Sequence, residues 1–482
     1  MTTRAEGCYM HPSFFSSTNH RRRKTMDTTG PIRLAKWAHL TQRNGVCAVF
    51  HSLSLSLLFF EERYREFLEE LRLGTTLHHL RTLSDDADEI TAELVEQKLV
   101  VPVGHDDDTI LREKQDRYVR QPSFESMYLL LTDACNLECS YCLIKGNTKK
   151  CPKKGAFMRW KTAKEAVDMY FANLQPTKAH KTIIFYGGEP LLMFPLMRRI
   201  VGYIHDRYGN ESTAFGIDLL LITNGTKITT NVARYLAAHP EIAIGISLDG
   251  CEDVNDQKRI HPDGKGSFRK VVAGIDRLHL AGRKDVNISA TIDDHNVDKL
   301  DDLLVLNEQY SFQTVSFNLL LDTAKRTIDP SYTDHATKRV LEYFEKARDI
   351  GLYEDRIMRK VRTMSSGVLH PYDCRATGAQ LAVSPDGSLG VCHEGVGCKN
   401  FFFGKVSRDF VFADNPLTQE WSRRSPLTMP QCFDCPALGL CGGGCAYSAF
   451  LRHGTIWAVD DKFCKHSLAV LEWIIWDVYS RT

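Results

Sequence analysis

The sequence predicts an α/β protein: an open, partial barrel of six β/α units, preceded by a small winged-helix-like α+β module and followed by a cysteine-rich domain. Three observations carry this prediction. Downstream of Met127, short β-rich apolar runs alternate with amphipathic helical patterns, as parallel strands joined by crossover helices require. Upstream, between Val46 and Val103, two strand patterns enclose three helical ones. Of 15 cysteines, eleven fall in two groups, one directly after the first barrel strand and one in the last quarter of the chain.

The elements follow in order. Residues 46–55 read as a strand ending in apolar/serine alternation, 60–73 as a helix stopped by Gly74, 76–83 and 86–97 as two more helices, and 99–103 as a closing strand. Barrel strands fall at 128–132, 182–186, 218–223, 243–248, 286–292 and 314–319. Helical patterns at 164–174, 229–238, 268–281 and 297–310 lie between them, and one at 333–349 follows. Functional groups belong at the strands' C-terminal ends, where the loops gather at one mouth. The expected division is a disordered tail over 1–30, the N-terminal module over 31–120, the barrel over 121–350 and the cysteine-rich domain over 351–482.

Composition narrows the partners. With 61 Lys+Arg against 60 Asp+Glu, a net charge of +1 and 43% hydrophobic residues, neither a polyanion-binding protein nor a disordered acidic chain fits the 482 residues as a whole. No apolar run approaches the roughly 18 residues of a membrane span, and Arg21 to Lys24 precede no apolar stretch of a signal peptide, so a soluble cytoplasmic protein with no membrane partner is expected.

Cys135, Cys139 and Cys142 are separated by three and then two residues, a spacing one loop can wrap around a face of an iron-sulfur cube. Three thiolates leave one iron free to chelate a substrate or cofactor; on spacing alone, a zinc site with a distant fourth ligand is the alternative. CNLECSYC follows the first strand, YGGEPLL the second, ITNG the third and SLDG the fourth. In order and strand placement these resemble the radical S-adenosylmethionine enzymes. The resemblance implies a [4Fe-4S] cluster whose open iron takes the amino and carboxylate groups of S-adenosyl-L-methionine, and a 5'-deoxyadenosyl radical that abstracts hydrogen from unactivated C–H bonds. It implies that Tyr141 lies beside the adenine, that Gly187, Gly188 and Glu189 receive the methionine amino group, and that Asn224, Ser247, Asp249 and Arg259 belong to the same pocket.

Further on, LAVSPDGSLGVC reads as a hairpin around a Pro-Asp-Gly turn that presents Cys392 near Cys374. Cys432, Cys435, Cys441, Cys445 and Cys464 follow, and the block resembles the SPASM domain, which carries auxiliary iron-sulfur clusters in peptide-modifying radical enzymes. By that resemblance Cys374, Cys392 and Cys445 hold one cube, with Cys398 as its fourth ligand at a position that departs from the sulfatase-maturating pattern. Cys432, Cys435, Cys441 and Cys464 hold another, giving three [4Fe-4S] clusters in all. Paired zinc ribbons are the alternative. Cys8, Cys47, Cys151 and Cys251 are scattered and carry no assigned role.

The substrate is read from the N-terminal module. A winged helix ordinarily binds nucleic acid, but residues 61–108 carry 14 acidic side chains against 5 basic, a field that repels a phosphate backbone. The module is similar instead to the recognition element fused to maturases of ribosomally made peptides, where a leader peptide adds a strand to the sheet edge. The resemblances imply an oxidative peptide maturase with a precursor peptide and an electron donor such as flavodoxin or ferredoxin as partners. A thioether or carbon–carbon cross-link is the expected product, with His393 or Glu394, next to Cys392, taking the proton. Formylglycine formation by a sulfatase-type maturase, peptide epimerisation, and a non-enzymatic zinc-ribbon regulator of nucleic acid are the alternatives.

Overall fold

The computed structural model describes residues 30–146, 155–176, 179–320 and 329–482. The tail expected over residues 1–30 lies outside them except for Gly30, as do Cys8 and Cys151.

The N-terminal module holds strands β1 (Ile32–Leu34), β2 (Ala38–Arg43), β3 (Val46–His51), β4 (Leu57–Glu61) and β5 (Val100–Pro102). Strands β2, β3 and β4 form an antiparallel meander, and β1 pairs antiparallel with β5. Helices Arg65–Leu73, Leu77–Leu83 and Ala87–Glu96 bury Phe67, Leu68, Leu71, Leu80 and Leu94 in a core of their own with Val49 of β3. Here the structure corrects the sequence reading, which ran one strand through 46–55 and began a helix at 60. The chain turns back after His51 instead. The His51 Nδ1 accepts hydrogen bonds from the Leu53 and Ser54 amides, both at 3.1 Å, Leu55 adopts φ +62°, and Phe59 and Phe60 belong to β4. A side chain builds this turn where a hairpin usually has Asn-Gly, so the alternation in the sequence runs straight through it.

The barrel strands are β6 (Ser126–Thr132), β7 (Lys181–Gly187), β8 (Ile217–Thr223), β9 (Ile242–Ser247), β10 (Val286–Ile292) and β11 (Thr314–Leu319). Neighbours in space are neighbours in sequence, and every pairing is parallel. The sheet extends at both ends. β12 (Tyr353–Glu354) adds parallel to β11, and β13 (Gln380–Val383) adds parallel to β6, followed by antiparallel β14 (Ser388–Gly390) and β15 (Phe402–Lys405). The hairpin that leads to Cys392 is thereby part of the barrel's own sheet.

Tyr128, Tyr186, Ile222, Ser247, Ser289 and Asn318, one from each of β6 to β11, border a single cavity of about 720 Å³, so the sheet curls around it. A filled barrel carries layers of Val, Ile and Leu there. Here four of the six carry a hydroxyl and one an amide, with Ile222 the sixth, and the interior is a chamber. Trp37, Ala48, Phe50, Leu53 and Leu55 of the N-terminal module belong to the same buried apolar cluster as the barrel strands, and Gly439 lies close against the Ser52 carbonyl and Leu55. Among the described residues no helix is long and apolar enough to cross a membrane.

Candidate active site

The first thiol loop leaves the C-terminal end of β6. It is tied to β7 by hydrogen bonds from the Gly188 amide to the Thr132 carbonyl (2.8 Å) and from the Glu189 amide to the Ala134 carbonyl (2.9 Å), and to the 258–260 loop from the Glu138 amide to the Ile260 carbonyl (2.7 Å). Gly187 sits at φ +136°, and a Cβ on it would run into the Thr132 carbonyl; a Cβ on Gly188 would run into the Ala134 carbonyl. Glycine is what lets the two backbones meet. Cys135, Cys139 and Cys142 face the chamber, and the Cys135 sulfur accepts from the Leu137 amide (3.4 Å) and the Asn224 Nδ2 (3.7 Å).

Of the expected cofactor residues, Tyr141, Gly187, Gly188, Asn224, Ser247 and Arg259 border the chamber. Glu189 and Asp249 do not. The Glu189 carboxylate is fully buried and accepts from the Leu191 amide (2.9 Å), the Thr223 hydroxyl (2.7 Å) and the Asn224 amide (2.8 Å), which ties the β7 and β8 loops together. Asp249 stands behind the wall. It makes a two-point ion pair with Arg259, each contact 2.9 Å, accepts from the Thr291 amide at 2.9 Å and takes the Tyr141 hydroxyl, which orients both side chains toward the chamber.

The C-terminal thiols form two groups. Cys374, Cys392 and Cys445 open onto the same chamber. Burial pushes the Cys392 thiol well up, and the neighbouring Cys445, Glu394 and Cys374 add to it; burial takes Cys445 to about 12. Cys432, Cys435, Cys441 and Cys464 gather away from the chamber, where burial and the other three raise Cys464. Cys398 is outside the chamber wall, but it and Cys392 both act on the Tyr447 hydroxyl. The fully buried Arg424 donates to the Gly443 (2.8 Å), Ala458 (3.1 Å) and Ile456 carbonyls, clasping the loops that carry Cys441 and Cys445.

These thiols suit clusters better than single metal ions. A tetrahedral zinc bound at about 2.3 Å sets its sulfurs about 3.8 Å apart, whereas among the described residues no three cysteine sulfurs lie within 4.8 Å of one another. Cys392 and Cys441 are buried and the other nine thiols of the two groups are partly buried, and binding of an inorganic core would displace their protons.

His393 and Glu394 border the chamber beside Cys392, with His393 Nε2 3.2 Å from Glu394 Oε1 and Nδ1 3.4 Å from Gln380 Nε2. Tyr128, outside every motif, and Tyr186, the first residue of YGGEPLL with no role assigned to it, complete this wall. The Tyr128 ring stacks on His393 at 4.0 Å and 7°, and the Tyr186 ring meets His393 edge-on at 5.1 Å. Tyr186 borders the same chamber as Cys142 and Cys392. The signal available in the sequence was a tyrosine interrupting each of two otherwise apolar strands.

A parallel β/α barrel whose first loop carries three chamber-facing cysteines defines a class. Residues 129–306 match the family described as "Radical SAM superfamily", and the chain is a radical SAM enzyme, a class that takes S-adenosylmethionine and a [4Fe-4S] cluster. Among curated proteins the chain is similar to the radical SAM cyclopropyl synthase TigE of Paramaledivibacter caminithermalis, 22% identical over 448 residues, 86% of this chain and 89% of TigE. Among solved structures it shares its fold with anSMEcpe holding AdoMet and the Cp18Cys peptide (TM-score 0.61, 18% identity, 74% of this chain and 99% of that one). It also shares it with Streptococcus suis SuiB bound to the precursor peptide SuiA (TM-score 0.52, 14% identity, 90% and 99%).

Proposed function

We propose that this protein oxidatively cross-links a ribosomally made precursor peptide, forming an intramolecular thioether or carbon–carbon bond. The observation that carries the reading is the shared chamber: the Cys135, Cys139 and Cys142 triad and the Cys374, Cys392 and Cys445 set open into one space, which His393, Glu394, Tyr128 and Tyr186 also line. S-adenosylmethionine bound at a triad cluster supplies the hydrogen-abstracting 5'-deoxyadenosyl radical. Ring closure then requires that one proton and one electron leave the substrate. The proton has an acceptor in the His393–Glu394 pair, and the electron a destination at the Cys374, Cys392 and Cys445 set, where a second cluster fits. A third fits at Cys432, Cys435, Cys441 and Cys464, with Cys398 completing the second. Tyr141, Arg259, Asn224, Ser247 and the Gly187–Gly188 backbone take the cosubstrate, with Asp249 and Glu189 as their supports.

A peptide substrate is supported by the peptides held in the anSMEcpe and SuiB structures, and bond formation by the name of TigE. Among the described residues β4 is an edge strand of the N-terminal meander, pairing with β3 alone and carrying Glu61, with Glu62 and Glu66 just after it, which suits strand addition by a basic leader. An external electron donor and a cytoplasmic setting belong to the same reading.

Mass spectrometry of the precursor incubated anaerobically with enzyme, reductant and S-adenosylmethionine tests it. Each cross-link lowers the precursor mass by two hydrogens, about 2 Da, and consumes one S-adenosylmethionine. An unchanged mass with deuterium uptake from solvent makes the enzyme an epimerase, and a Cys or Ser converted to an aldehyde without a ring makes it a formylglycine-forming maturase.

A further inference from the structure

At the end of the barrel opposite the thiol loops, two histidines and a glutamate converge. His205 projects from helix Phe194–Phe215, His239 caps helix Thr230–Ala238, and Glu241 directly precedes β9. One ligand atom from each lies within 4.8 Å of the others. Both imidazoles meet a single carboxylate oxygen: Glu241 Oε1 is 2.9 Å from His239 Nδ1 and 3.3 Å from His205 Nε2. Metal–ligand bonds of about 2.0–2.1 Å in a tetrahedron set ligand atoms about 3.3 Å apart, so these spacings, which are also those of hydrogen bonds, are compatible with a shared ion.

The loop carrying two of the three groups is held in place. Arg283, 4% exposed, donates to the Leu236 (2.6 Å), His239 (3.0 Å), Pro240 (3.4 Å) and Ile242 (2.5 Å) carbonyls, so one guanidinium fixes the backbone on both sides of His239 and Glu241. The Tyr235 ring lies 4.2 Å from the His239 ring and limits its rotation. Among the described residues no lysine or arginine pairs with Glu241; its ion-pair partners are the two histidines. None of the three groups borders the chamber, so the radical chemistry leaves them unassigned.

We propose that His205, His239 and Glu241 bind a zinc-class divalent cation, three protein ligands with water in the fourth position. The ion would join the long helix after β7 to the connection between β8 and β9. Because the unfolded chain has no such preformed site, binding stabilises the folded barrel.

The test uses the full, cluster-loaded chain, so that cysteines are already occupied, and Zn²⁺ alone as probe. Isothermal titration is expected to give one zinc per chain beyond the iron. His205→Ala with His239→Ala should weaken it by at least the roughly 10- to 100-fold that loss of a supporting contact costs at metal sites, and Glu241→Gln by a similar factor. Unchanged iron content in each variant shows that the fold persists. Zinc-edge X-ray absorption should report nitrogen and oxygen neighbours, two of them imidazole. Equal zinc uptake by wild type and the double variant, no binding below about 1 mM, or sulfur in the zinc shell would overturn the proposal.

Discussion

Gly188 and the Tyr128–His393 stack make the sharpest predictions for single residues. Gly188→Ala puts a methyl group against the Ala134 carbonyl and the Asp133 carbonyl at the root of the first thiol loop. It should displace Cys135, remove about one third of the iron and abolish 5'-deoxyadenosine formation, as read by iron analysis and chromatography. His393→Gln keeps a hydrogen-bonding group but removes the proposed proton acceptor, which lies 3.2 Å from Glu394. The expected outcome is uncoupling: 5'-deoxyadenosine still forms, while cross-linked product per 5'-deoxyadenosine falls at least about tenfold, within the usual worth of a general base. The thiol positions and the glycine pair were legible because their spacing is local. The direction of the Glu189 carboxylate was not, since it is decided by Thr223 and Asn224 on the next strand. Nor was the role of Tyr128 and Tyr186, which only the curl of the sheet brings to His393.

The N-terminal module shows what an element adds. The His51 imidazole, 2% exposed, is pushed down to about 4, chiefly by burial, and its Nδ1 must stay unprotonated to accept from Leu53 and Ser54. The unfolded chain takes up the proton near pH 6.5 and the folded one only near 4, so the unfolded state binds more protons between these values. This contribution is complete above about pH 6.5 and is lost as the pH falls toward 4, worth about 3 kcal/mol at the extreme. Hydrogen exchange should therefore find the 51–57 turn and β4 opening at pH 4.5 while the barrel strands stay protected; equal protection at pH 4.5 and 7 would contradict it. The proposed leader docking belongs to this element too. Glu61→Lys with Glu66→Lys should weaken leader-peptide binding about tenfold at low salt and flatten its salt dependence, measured by fluorescence anisotropy, with S-adenosylmethionine cleavage in the absence of peptide unchanged. Deleting the module is a poorer test than its independent appearance in the sequence suggests, because Trp37, Phe50, Leu53 and Leu55 lie in the barrel's own apolar cluster. The six barrel strands were legible from apolar runs and spacing. The β3–β4 turn was not, since a histidine side chain and a positive φ at Leu55 take the place of turn residues.

Across the molecule, the ten-stranded sheet explains how distant cysteines share one space. β13 pairs with β6, so the hairpin bearing Cys392 is fixed to the strand that delivers Cys135, some 250 residues apart in sequence. That pairing, between the first barrel strand and a hairpin that follows β12, is the long-range feature the sequence could not display. We propose that the three thiol sets hold three four-iron clusters, one of them open to S-adenosylmethionine. Iron and sulfide analysis with Mössbauer spectroscopy on the anaerobically reconstituted chain measures it most directly, comparing wild type with Cys135→Ala/Cys139→Ala/Cys142→Ala. The account predicts about 12 iron atoms per wild-type chain, about 8 in the variant, and no 5'-deoxyadenosine from the variant. Zinc in place of iron, about 8 iron atoms in the wild type, or 5'-deoxyadenosine formation that survives in the variant would contradict it.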